Sequence, residues 1–339
     1  MLQNSSQHSS QDTVPITGKT ALLSAKQRKT IVVSLVLAAS VYLIVIFMAG
    51  YEQISVAFAK FGLINWSIVL IASCTSYLLR FLRWQLYIKK SNKVIPLRQH
   101  LLYYLAGFAL TTTPGKAGET IRSLLLRPHG IRYPFSLAAF VTERFLDVIV
   151  VALLASLTVF AFAEYKLFVL ISSLAILSLL PLVRSQLFIT LLKQIDKRLS
   201  TKKLKTLIHH LIDTVNSMHL FLSWRLIASG FGIGFVAWLI QGFAFYLIVT
   251  QLGFELSLPA ALGIYSISLL AGAISFIPGG VGSTELVMGL LLAALGADTT
   301  IVVSAPIISR LSTLWFAVLL GLLSTSLITM RKDKVKTNI

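Results

Sequence analysis

The chain is 339 residues long, 56% of them hydrophobic and only 12% charged, with a formal net charge of +18 and a mean hydropathy of +0.83. So much apolar sequence with so few charges excludes an ordinary soluble domain and predicts an all-α, polytopic membrane protein. Nucleic-acid binding is set aside as the meaning of the basic balance, since no soluble domain is expected to present a patch; the single cysteine, Cys74, allows neither an internal disulfide nor a cysteine metal site.

In chain order, residues 1–29 read as a Ser/Gln-rich disordered cytoplasmic tail. Thr30 to Gly50 is uncharged for 21 residues, close to the ~20 that span a hydrocarbon core and too long for a cleaved signal peptide. It is read as a retained first span. Further spans are expected at roughly 63–85, 135–162, 165–183, 226–250 and 301–330, six in all, within one integral membrane domain over 30–330. Two hairpins, 97–126 and 258–297, turn at Pro-Gly motifs. The arm Leu101 to Thr113 has 13 residues, about 20 Å of helix against a core of about 30 Å. That arm is too short to cross; the arms of the second hairpin are long enough to be either re-entrant or spanning.

Between the fourth and fifth spans, Ser185 to Ser223 places Leu187, Leu191, Leu192, Ile195 and Leu199, then Leu204, Leu207, Ile208, Leu211, Ile212 and Val215, at helical spacing with lysines between them. One or two amphipathic helices lying on the cytoplasmic interface are expected. His209, His210 and Asp213 form too small a set for a metal site, and no metal or cofactor is expected. A short basic tail, 331–339, closes the chain.

The basic residues set the orientation. With both termini cytoplasmic, Lys19, Lys26, Arg28, Lys29, the cluster Arg80 to Arg98, Lys116 to Arg132, Arg184 to Lys205, Arg225 and Arg331 to Lys336 fall inside, and only Lys60 and Lys166 fall outside. This asymmetry is what the positive-inside rule requires of a multi-pass protein of the cytoplasmic (inner) membrane. The surplus charge also favours anionic headgroups on the cytoplasmic leaflet.

Inside this frame one motif occurs twice. Thr113-Pro114-Gly115-Lys116-Ala117-Gly118-Glu119 recurs as Ile277-Pro278-Gly279-Gly280-Val281-Gly282-Ser283-Thr284-Glu285, and Arg144 and Arg310 follow about thirty residues after their respective breaks. A Pro-Gly break ends a helix, and irregular backbone at membrane depth must be buried in protein or line a polar cavity. Aligning Pro114 with Pro278, an offset of 164 residues, sets span 63–85 against 226–250, hairpin against hairpin, and 135–162 against 301–330. Three spans separate each element from its mate, so the repeat halves, about 63–162 and 226–330, are inverted. Two inverted broken hairpins meeting near the midplane form a recurrent transporter plan.

The charges in these elements are too costly to be filler, at about 2.5–3.5 kcal/mol each at a helix centre on insertion scales. Glu143, Arg144 and Asp147 sit mid-span, with Arg144 and Asp147 one turn apart and able to pair; Glu119 and Arg122 share that spacing. The half-helices after Pro114 and Pro278 offer free N–H groups, and Lys116, Arg122 and Arg144 add cationic donors, a combination suited to an anion. Residues 256–330 hold only Glu285, Asp298 and Arg310 as charges, which points to a lipid with an anionic headgroup over a water-soluble anion.

Gly107 to Arg122, Glu143-Arg144-Phe145-Leu146-Asp147, Pro278 to Glu285 and Ser309-Arg310-Leu311, with Arg80-Phe81-Leu82-Arg83-Trp84, resemble the flippase-like, lysylphosphatidylglycerol-synthase transmembrane-region family, over nearly the whole chain after residue 30. The resemblance implies handling of anionic lipids: aminoacylated phospholipids, polyprenyl-phosphate-linked sugars or hopanoid-related lipids. Thr112 departs from the asparagine often found before the break. With only Arg331 to Ile339 after the last span, a standalone core without a synthase domain is expected. No P-loop spacing follows Pro114, so Glu119, Glu143 and Asp147 are the candidate proton carriers. The resulting expectation is a translocator or binder of anionic lipids with no catalytic residues, its site built from Pro114, Gly115, Lys116, Glu119, Arg122, Glu143, Arg144, Pro278, Gly279, Gly280, Glu285 and Arg310. Two alternatives stand beside it: a noncatalytic partner of a separate lipid or glycan synthase, and an intramembrane lipid-modifying enzyme using Glu119 or Glu143 as general base.

Overall fold

The computed structural model describes Val36, Ser40 and residues 51–113, 118–198 and 202–337, and among these every regular element is helical. The expected first span over 30–50 lies outside the described residues apart from Val36 and Ser40. Helix α1 covers Tyr51–Ile88, bent where Gly62 takes φ 72°, ψ 160°; a 3-10 turn over Lys89–Ser91 follows and ends at Asn92 in the left-handed conformation. The first hairpin follows: α2, Leu97–Phe108, begins directly after Pro96, and α3, Ile121–Leu126, is only six residues long. Helix α4, Tyr133–Ala155, opens with a proline in its first turn, where the missing N–H is not needed.

Helix α5, Lys166–Arg184, is followed by the two amphipathic helices α6, Gln186–Arg198, and α7, Lys202–Met218, in the segment expected to lie on the interface. They pack on each other, and His209 Nδ1 lies 3.3 Å from Asp196 Oδ1 across the pair. Helix α8, Trp224–Gln251, leads into the second hairpin of α9, Leu258–Ile274, and α10, Ser283–Ala294. Ser257 caps α9 by accepting from the Ala260 N–H at 3.4 Å. The expected last span is three pieces: α11, Thr299–Arg310, a π-turn over Leu311–Trp315, and α12, Phe316–Thr337.

Among the described residues, three stretches are long and apolar enough to cross a membrane: Ser55–Ser91, Trp224–Gln251 and Thr299–Met330. They coincide with the expected spans 63–85, 226–250 and 301–330. Val169–Val183, Leu258–Ile274 and Pro278–Ala294 are apolar but shorter. Helix α4 has 23 residues, but Glu143, Arg144 and Asp147 interrupt its apolar run at the centre, eleven residues or about 16 Å from either end for Arg144.

The packing pairs elements of the two halves crosswise. Helix α1 lies along α8, the matching member of the other half. The first hairpin's α2 packs on α12, and the second hairpin's α9 packs on α4. Each hairpin therefore rests on the last helix of the opposite half, the pattern that a pseudo-twofold relation generates. Glycines permit the close approaches: a methyl on Gly321 of α12 would come 2.6 Å from the Phe108 carbonyl carbon, and one on Gly263 of α9 would come 2.7 Å from Thr158 Cα.

Two large apolar cores result, with a smaller cluster of Val281, Ile307 and Leu314. One gathers Phe81, Trp84, Tyr104, Leu126, Ala139 and Phe221; the other gathers Phe61, Val150, Phe245, Ile264, Met288 and Ile308. Along α4 the first core ends near Phe140 and the second begins near Val150. Glu143, Arg144 and Asp147 occupy the layer between.

Candidate functional site

That layer is a dense cluster of buried ions. Arg83 is fully buried, with its NH2 2.7 Å from Asp147 Oδ1 and its Nε 3.6 Å from Glu143 Oε1. Arg122 reaches from α3 to pair with Glu143 and lies over the Trp84 ring at 3.8 Å. Arg144 sits between three carboxylates, 3.1 Å from Asp147, 3.9 Å from Glu143 and 4.0 Å from Glu119. The i,i+3 pairing of Arg144 with Asp147 is thus made, while Arg122 finds its partner on a different helix from Glu119. Thr111 donates to Glu119 Oε1 at 2.8 Å, tying the end of the α2 turn to the start of α3. Such desolvated charges persist only when paired and hydrogen-bonded.

The second half repeats the pairing. Glu285 and Arg310 are 25 residues apart, as are Glu119 and Arg144, and Arg310 Nε donates to Glu285 Oε1 at 2.9 Å. Measured between these pairs the halves are offset by 166 residues; the second break holds two more residues between its proline and its glutamate than the first. Gly279, Gly280 and Gly282 take φ of 65°, 64° and 88°, a run of left-handed backbone that side chains would strain. The Gly279 carbonyl accepts a bond from Arg310.

One expectation is corrected here. Free N–H groups at the second half-helix were expected to await an external anion. Instead Glu285 folds back and accepts from the Gly282 N–H at 2.7 Å, so the chain's own carboxylate occupies the α10 N-terminus. Pro278 and Gly280 form the tight turn beneath it, Gly280 buried against α9. Pro114, Gly115 and Lys116 lie outside the described residues.

Arg144 and Arg310 line the same cavity. Its walls come from both halves: Tyr77 and Arg80 of α1, Thr111 and Glu119 of the first hairpin, Arg144 of α4, Trp238 and Gln241 of α8, Tyr265 of α9, Arg310, and Thr313 of the π-turn. The cavity measures about 60 Å³, room for several waters. The Tyr77 hydroxyl donates to the Thr313 carbonyl, bridging α1 to the π-turn, and π-turns of this kind are frequent at functional sites.

The sequence reading counted Arg80 and Arg83 in the basic cluster on the cytoplasmic side. Both are buried, at 7% and 0% exposure. They lie one turn apart, at the i,i+3 spacing that puts both on one face of α1, and that face meets α8. Arg80 rests on the Trp238 ring at 4.0 Å, and Trp238 Nε1 donates to Asp147 at 3.0 Å. Trp238 was not singled out; a tryptophan in an apolar span gives no signal until its partners are known.

Comparison with known proteins agrees with the fold and the motifs. The family model for the lysylphosphatidylglycerol synthase TM region matches residues 31–321. A UPF0104 membrane protein of Pyrococcus horikoshii is 24% identical over 314 residues, 85% of this chain and 94% of that protein. A UPF0104 membrane protein of Methanothermobacter thermautotrophicus is 28% identical over 225 residues, 62% of this chain and 67% of its own length. A phosphatidylglycerol lysyltransferase of Staphylococcus xylosus is 32% identical over 88 residues, 26% of this chain and 10% of that protein. The chain is a membrane protein that belongs to the lysylphosphatidylglycerol synthase TM region family.

Proposed function

We propose that the chain binds the headgroup of an anionic lipid, a phospholipid or a polyprenyl-phosphate-linked lipid, and carries it between leaflets by movement of one half against the other, breaking no covalent bond. The observation that carries this reading is the shared cavity: Arg144 from one half and Arg310 from the other face a single space. A site at the junction of two related halves can be exposed to either side by rocking one half, the logic of repeat-built transporters. At about 60 Å³ the cavity is small for a lipid headgroup, and parting of the halves would widen it. Of the three candidate proton carriers, Glu119 alone lines the cavity, and it is the carboxylate placed to couple a proton to that movement. The family's link to lipid metabolism, and the lysyltransferase name of one relative, support a lipid cargo supplied by a separate synthase.

The orientation in this reading puts both termini in the cytoplasm of an inner membrane. Exposed Lys89, Lys90, Lys93, Arg98, Arg127 and Arg132 gather where α1 ends, α2 begins and the chain leaves α3; a methyl on Gly130 would lie 3.4 Å from Lys93 Cε, so these loops adjoin. A basic face of this kind belongs on the cytoplasmic leaflet.

The test is reconstitution into liposomes holding fluorescent phosphatidylglycerol or phosphatidylcholine, with dithionite reporting arrival in the outer leaflet. Wild-type protein is expected to move the anionic lipid selectively, and Glu119→Ala and Arg144→Ala to abolish that movement. A folded protein that moves no lipid, or moves both equally, would refute the reading.

A further inference from the structure

The cavity's three arginines are not equivalent. Arg144 lies against Glu119 and Asp147, and Arg310 against Glu285. Arg80 differs: it is buried, yet among the described residues no carboxylate lies within 4.0 Å of its guanidinium, which makes no hydrogen bond, and its Nε is enclosed without a partner. Among the described residues its partner is the face of Trp238 at 4.0 Å, and that ring is held in place by its own bond to Asp147. The described cluster as a whole sets five guanidiniums, Arg80, Arg83, Arg122, Arg144 and Arg310, against four carboxylates, Glu119, Glu143, Asp147 and Glu285. One positive charge is left over, and it faces the cavity.

We infer that Arg80, laid on Trp238, is the anion receptor of this cavity, and that its ligand carries one negative charge, as a phosphate diester does. The inference rests on the anionic-lipid reading of the same site and narrows it to a diester over a phosphate monoester or pyrophosphate. A guanidinium offers parallel N–H donors that match two non-bridging phosphate oxygens. With Trp238 covering one face, those donors remain available at the edge. One added negative charge neutralises the surplus, whereas a second would stand uncompensated beside Glu119 in a desolvated space.

The experiment is a titration of the purified full-length chain in detergent with dioctanoyl phosphatidylglycerol, a diester; dioctanoyl phosphatidic acid, a monoester; dioctanoyl glycerol, which is uncharged; and glycerophosphoglycerol, a diester without chains. Binding is read from tryptophan fluorescence and from ligand-induced thermal stabilisation. Phosphatidylglycerol is expected to bind, phosphatidic acid no more tightly, and dioctanoyl glycerol not at all, with Arg80→Gln weakening phosphatidylglycerol at least tenfold. Without ligand, Arg80→Gln is expected to melt no lower than wild type, because it removes a surplus charge and no hydrogen bond. Arg80→Lys keeps the charge but not the paired donors, and its affinity for the diester is expected to fall between those of wild type and Arg80→Gln.

Unchanged phosphatidylglycerol affinity in Arg80→Gln, tighter binding of phosphatidic acid, or a lysine variant as defective as the glutamine one would each overturn the inference. Saturation by glycerophosphoglycerol as readily as by the lipid supports the charge assignment and identifies a soluble diester as its source. The measurement does not depend on lipid movement. Arg80-dependent binding without movement in liposomes would leave the receptor and remove translocation, while movement untouched by Arg80→Gln would remove the receptor alone.

Discussion

Arg83 and Arg80 sit one turn apart on α1 and face opposite energetic situations. Arg83 touches Asp147 and Glu143, and its loss would leave two carboxylates desolvated with fewer counter-charges. Breaking a buried pair from one side costs about 3–5 kcal/mol, so Arg83→Gln is expected to lower the melting temperature sharply in detergent, where Arg80→Gln does not. Equal melting temperatures for the two variants would contradict this division between a structural and a receptor arginine. The pairing of Arg144 with Asp147 was legible in the sequence because i,i+3 spacing on a helix fixes proximity. The pairing of Arg122 with Glu143 was not, since 21 residues and two turns of chain intervene. The burial of Arg80 and Arg83 was not legible either: a rule that counts cations near helix ends takes no notice of which face they occupy, and Lys89, Lys90 and Lys93 beside them are surface residues.

The helical elements and both breaks could be read from Pro-Gly motifs and uncharged runs, because helix termination is a local property of the backbone. How the elements meet could not. The crosswise packing of α2 on α12 and α9 on α4 depends on small residues whose partners are more than a hundred positions away. Gly321 is the sharpest case, since a methyl there would run into the Phe108–Ala109 backbone. Gly321→Val is expected to force α12 away from α2 and destabilise the protein by about 1–3 kcal/mol, seen as a lower midpoint in denaturant titration; Gly232→Val, where a methyl meets nothing within 4 Å, serves as the control. A Gly321→Val protein as stable as that control would mean that the α2–α12 contact is loose. The capping of α10 by Glu285 was within reach of the sequence, since a glutamate three residues after a helix start is a capping signal; reading the break as an empty anion site passed over it.

At the scale of the molecule, the two halves carry the same glutamate–arginine pair at the same spacing but hold it differently. In the second half Arg310 is clamped by Glu285 and the Gly279 carbonyl, whereas in the first Arg144 is shared among three carboxylates and Glu119 is 4.0 Å away. The repeat was visible as a duplicated motif, and its functional weight comes from geometry that no spacing reveals, namely that both arginines end at one cavity. Two arginines serving one site must be energetically coupled, while two arginines serving separate sites act independently. The most direct test is a double-mutant cycle on phosphatidylglycerol movement in proteoliposomes, comparing Arg144→Gln, Arg310→Gln and the double variant with wild type. A shared site predicts that each single variant slows movement and that the double variant is little slower than the worse single one. Single effects that multiply in the double variant, or singles that leave the rate unchanged, would contradict a common cavity at the junction of the halves.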